Sequence, residues 1–188
     1  TLDPANRLDL RFDGIRRAAR HVAAQRASIA YAAAATVLFG AFMSYLASLE
    51  LIVDDVFGYG DWFPVVFGVN AALMGAATLA NAALVPRLGA SAIARRVILG
   101  YALGAAVLSM IALTSGGSPS FWVFAPALAV LLCLHAFMVP NLFALAMEPM
   151  GRVAGTASAL IGTAQTGIGA LLGALVDRAY DGTVLPLS

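Results

Sequence analysis

The stretch 121–147, "FWVFAPALAVLLCLHAFMVPNLFALAM", decides the fold. It carries no Asp, Glu, Lys or Arg along its whole length. A helix needs roughly 20 mainly apolar residues to cross the hydrocarbon core of a bilayer, and backbone left unpaired there is costly. The stretch is long enough, and a continuous helix is the structure that satisfies its backbone from within. Four further stretches read the same way, which places five spans at about 28–53, 62–85, 97–115, 121–147 and 153–176. The separators "DDVFGYGD", "PRLGASAIARR", "GGSPS" and "EPMGR" are short and hydrophilic, with turn-forming Gly, Pro and Ser.

Composition agrees. Hydrophobic residues make up 61% of the chain and charged ones 11%, against about 25% charged in an ordinary soluble domain. A formal net charge of +1 gives no footprint for nucleic acid or another polyanion. The single cysteine, Cys133, sits in an apolar run and rules out an intrachain disulfide. The fold class is therefore all-α, a polytopic bundle of five membrane helices.

All basic residues other than histidine are arginines, and their distribution orients the chain, because cytoplasmic loops are enriched in Lys and Arg. Arg7, Arg11, Arg16, Arg17, Arg20 and Arg26 precede the first span. Arg87, Arg95 and Arg96 occupy the second separator, and Arg152 the fourth. The first and third separators hold none, so residue 1 is expected in the cytoplasm and 177–188 outside. An odd number of spans leads us to expect one more beyond the C-terminus.

Residues 1–27 read as a cytoplasmic linker. Leu8, Phe12, Ile15, Ala19 and Val22 recur at helical spacing, with Arg16, Arg17 and Arg20 off the stripe. That pattern fits an amphipathic helix on the membrane surface, or a solvated linker helix. Residues 28–188 form the bundle.

Helices in lipid associate through small residues that allow close approach and through a few polar side chains. In the fifth span Gly155, Ser158, Gly162, Gln165, Thr166, Gly169 and Gly173 fall within an arc of about 100°. The glycines and Ser158 are expected to pack helices; Gln165 either packs or lines a cavity. On the second span Asn70 and Asn81 share a face, and an amide at membrane depth must find partners. The first span carries Thr36, Gly40, Ser44 and Ser48 at four-residue spacing, with Phe42 and Tyr45 nearby. The third has no polar group of this kind in its middle and is expected on the lipid side.

The fourth span contains the local defect "VPN". Pro140 has no N–H, so the Ala136 carbonyl loses its helical donor and the helix is liable to bend. Asn141 stands beside the gap, able to cap it. Glu148 comes at the end of the span, before Pro149, as a boundary carboxylate. His135 has no carboxylate or serine partner in the pattern, which fits packing better than catalysis. No catalytic residue, metal site or cofactor site is expected.

Four stretches carry a family resemblance. "NAALVPRLGASAIARR" resembles, in degenerate form, the loop signature between the eighth and ninth helices of the major facilitator superfamily. With "YGDWFPVVFGVNA", "VPNLFALAMEP" and "GRVAGTASALIGTAQTGIGALLGAL", the chain from about 14 to 176 resembles the C-terminal half of the bicyclomycin and chloramphenicol resistance (Bcr/CflA) branch of drug:proton antiporters. The resemblance implies helices seven to eleven of a twelve-helix inner-membrane exporter of small hydrophobic drugs. It implies as partners protons, the bilayer, and the N-terminal six-helix half and twelfth helix of the same protein. The acidic proton carriers are expected in that N-terminal half. Tyr45, Asn70, Phe137, Asn141 and Gln165 are the expected cavity-lining residues, and Arg87, Gly89, Arg95 and Arg96 the gating loop. The competing classes are a non-transporting membrane scaffold or receptor and an intramembrane enzyme, the latter disfavoured because paired ionisable groups at depth are missing from the sequence.

Overall fold

A computed structural model describes residues 12–187. Its helices are α1 (Phe12–Ala24), α2 (Arg26–Leu51), α3 (Phe63–Leu88), α4 (Ala90–Thr114), α5 (Phe121–Met147) and α6 (Ala154–Asp177). Among the described residues there is no strand. Helices α2 to α6 are each long and apolar enough to cross a membrane.

Between α2 and α3 the chain keeps coiling. A π-turn, Ile52–Val56, extends α2, and a single 3-10 turn, Gly60–Trp62, leads into α3. Gly58, at φ 68°, makes the reversal, a conformation that costs glycine little. Pro64 stands in the first turn of α3, where its missing N–H would have had no partner anyway.

The second separator departs from its sequence reading. Residues 86–96 were expected as a loop, yet α3 runs to Leu88 and α4 starts at Ala90. Only Gly89 leaves helical geometry, at φ 78° and ψ 146°, with its N–H on the Val85 carbonyl at 2.9 Å. Arginine marks the water side of a span, and it does so equally well from an exposed helix end: Arg87, Arg95 and Arg96 are all exposed. Helix α5 likewise carries Pro126 and Pro140 without interruption.

Two pairs of helices approach closely through glycine. A Cβ on Gly169 would lie 2.6 Å from the Phe39 ring, and one on Gly173 would lie 2.7 Å from the Met43 Cβ. Gly40 faces them from α2, so α2 and α6 meet nearly backbone to backbone. Helix α4 meets α5 where Leu131 covers Gly104. The outer side of α4 presents Leu99, Leu103, Met110 and Leu113, all exposed, as a lipid-facing helix does.

The apolar core has two parts. Near the arginine-rich end Ala35, Leu38, Ala94, Met138 and Leu142 cluster between α2, α4 and α5. Near the other end Leu49, Ile52, Leu108, Phe124 and Leu128 cluster, and the segment after α6 closes over them with Val184 fully buried. That segment is tied down by Val184 N–H on the Gly117 carbonyl at 3.0 Å and by Ser48 Oγ donating to Asp177 at 3.1 Å. The Tyr180 hydroxyl reaches Asp55 at 3.4 Å; burial, then the Asp55 charge, raises its pKa, so it remains a donor.

Candidate functional site

Polar side chains inside the bundle join α2, α3 and α5. Asn141, only 2% exposed, donates from Nδ2 to Asn81 Oδ1 at 2.7 Å and to the Phe137 carbonyl at 2.7 Å. Pro140 leaves the Ala136 carbonyl without its helical donor, and the Asn141 side chain does not replace it. The side chain makes its backbone bond one carbonyl further on than expected, at Phe137 rather than Ala136. Both protons of the amide are used, one on its own helix and one on α3.

One helical face of α3 holds both asparagines, and each finds a partner on a different helix. Asn81 pairs with α5. Asn70 donates to the Tyr45 hydroxyl on α2 at 3.5 Å, longer than the usual range of about 2.7–3.2 Å. Phe42 then stacks between Tyr45, with centroids 5.7 Å apart, and His135 of α5, at 5.2 Å. His135 is thus part of an aromatic stack and nearly buried.

Beside Asn70 a groove of about 570 Å³ opens between α3 and α5, at the end away from the arginines. Val65, Val69, Leu73, Ala125 and Ala129 form its apolar walls. Tyr59, Trp62, Phe121 and Trp122 form an aromatic rim, with Trp122 76% exposed. Ala125 and Ala129 lie about 140–180° around α5 from Leu134, which covers Gly100 of α4. The groove therefore opens away from α4.

Of the five expected cavity residues, Asn70 lines this groove and Tyr45 is bonded to it. Asn141 and Phe137 meet at the α3–α5 contact instead. Gln165 is half-buried on α6 and stands outside the groove. The expected packing stripe divides in two. Gly169 and Gly173 sit against α2, whereas a Cβ on Gly155 or Gly162 would meet nothing within 4 Å. Ser158 spends its hydroxyl on the Gly155 carbonyl at 2.9 Å. The physical reason is that in the first half of α6 the buried residues are Ala157 and Ile161, about 100–160° around the helix from Gly155 and Gly162.

The sequence marks Asn81 as an amide in need of a partner but gives it no place among the cavity-lining residues, and it gives none to the aromatic rim. The shared face with Asn70 was a signal for the first; Trp and Tyr at span ends were the signal for the second, masked because such residues also mark the membrane interface. Among the described residues, no three His, Cys, Asp or Glu side chains gather as a metal site requires.

Prolines inside a continuous inner helix, buried interhelical amides and an apolar groove together define a polytopic membrane bundle. The profile of the Major Facilitator Superfamily matches residues 4–174, and the chain belongs to that superfamily. More particularly, it is similar to the bicyclomycin resistance protein homolog of Haemophilus influenzae, with 28% identity over 183 residues. That alignment takes in 97% of this chain and 45% of the relative, so the chain spans less than half of the relative's length. No solved structure matches.

Proposed function

We propose that this chain is the C-terminal part of a secondary active transporter that exports small hydrophobic drugs or metabolites across the inner membrane, by alternating access and in exchange for protons. The observation that carries the reading is Asn70, one buried amide on the wall of an otherwise apolar and aromatic groove, joined to a second helix through Tyr45. Small-molecule sites combine such apolar walls with few polar groups. The relative's name, a bicyclomycin resistance protein homolog, supports drug export. Membership of a transporter superfamily argues against an enzyme.

Arginine distribution supports a cytoplasmic residue 1, with the groove on the external side. The middles of the five spans contain no Asp or Glu, so the proton carriers belong to the rest of the protein. Arg87, Gly89, Arg95 and Arg96 form the cytoplasmic gating turn, and Asn141 holds α5 against α3 as the bundle rocks.

The test is substrate-driven proton flux in proteoliposomes containing the complete protein. Addition of a hydrophobic drug on the uptake side should drive counter-flow of protons. Asn70→Ala should raise the half-saturating drug concentration by about fivefold, the worth of one hydrogen bond near 1 kcal/mol. Drug movement without proton movement would remove antiport from the reading, and an unchanged Asn70→Ala variant would remove the groove.

A further inference from the structure

His135 lies near the middle of α5, at membrane depth, and is only 7% exposed. Its ring stacks on Phe42, but an imidazole also has two ring nitrogens to satisfy. A polar group held away from water without a hydrogen bond is costly. Among the described residues, neither the His135 ring nor the Tyr101 hydroxyl of α4 has a hydrogen-bond partner. At this depth the remaining source of a partner is a wet cavity.

Both side chains line the same small cavity. It has a volume of about 50 Å³ and lies between α2, α4 and α5, with Leu108 and Leu128 among its apolar walls. Tyr45 of α2 lines it too, and its hydroxyl, which accepts the Asn70 bond, keeps its own proton to donate. A buried water needs roughly 10–15 Å³ of cavity and two to four polar partners, whereas a purely apolar cavity stays dry. Here there is room for more than one water, and three polar side chains from three helices converge on it.

We infer that this cavity is a hydration site, in which water bridges the His135 imidazole of α5 to the Tyr101 hydroxyl of α4. The water gives α4 and α5 a polar link beside the contact of Leu131 with Gly104. Spacing along α5 shows His135 no partner because the groups it joins lie on other helices. The inference is independent of what the protein transports.

The experiment uses the complete protein in lipid, isotopically labelled at histidine and read by solid-state NMR. His135→Phe, which keeps a flat ring beside Phe42, and His21→Gln assign the two signals by their loss. Magnetisation started on water should reach the His135 ring N–H, as it should reach exposed His21. Tyr101→Phe removes one hydroxyl and keeps the ring, so it should shift the His135 ring resonances and weaken the transfer from water. Transfer that reaches His21 and not His135 overturns the inference. So do His135 resonances and a water transfer that Tyr101→Phe leaves unchanged.

Discussion

At Asn141 a single side chain meets the demand that membrane depth places on an amide. Its two Nδ2 protons go to Phe137 and Asn81, and both residues of the amide pair are almost fully buried. Interhelical hydrogen bonds in membrane proteins contribute modestly, because unfolded helices in lipid find other partners. A double-mutant cycle with Asn81→Ala and Asn141→Ala, read as unfolding free energy in lipid or mild detergent, should therefore give a coupling of about 0.6–1.7 kcal/mol. Zero coupling would mean that the amides do not meet. The sequence made this site half visible. Proline without an N–H is a local fact, so the defect could be read, whereas the expected cap on Ala136 is instead a bond to Phe137. The choice of Asn81 over other partners depends on how α3 crosses α5, which no residue spacing within one helix encodes.

At the scale of elements, length and hydropathy were enough to locate all five spanning helices, since a bilayer imposes the same thickness on each. Their ends were less legible. The run "PRLGASAIARR" looks like a loop by composition, and it is two helix termini around Gly89, because exposed termini hold arginine without unwinding. Helical arithmetic likewise aligns Gly155, Gly162, Gly169 and Gly173 on one stripe, while the packed face shifts along α6, from Ala157 and Ile161 to Gly169 and Gly173, and decides which of them pack. This separates the glycines experimentally. Gly173→Leu should destabilise the α2–α6 contact by about 1–3 kcal/mol, the usual penalty of overpacking. Gly162→Ala should instead leave the contact unchanged, or stabilise α6 by up to about 1 kcal/mol through helix propensity. Thermal unfolding of the purified protein distinguishes the two, and equal losses at both positions would contradict the open surroundings of Gly162.

For the whole molecule, the groove's position matters more than its size. It faces away from α4, its wall carries Asn70, and its rim contains both tryptophans of this chain, Trp62 and Trp122. Opposite the groove, α4 packs on α5 and presents an exposed apolar surface. A hydrophobic solute that entered the groove would pass within contact distance of both indoles and change their emission. In the complete protein, titration with a small hydrophobic drug of the class proposed above should therefore produce a saturable fluorescence change, and Trp62→Phe/Trp122→Phe should lose that component. Ala125→Leu narrows the apolar wall without touching Asn70. It should raise the half-saturating concentration by at least about fivefold, in line with an overpacking cost above 1 kcal/mol. A double tryptophan variant that keeps the full fluorescence change would relocate binding away from the rim. The α3–α5 contact at Asn141, deeper in the bundle, would then be the next place to look for the solute.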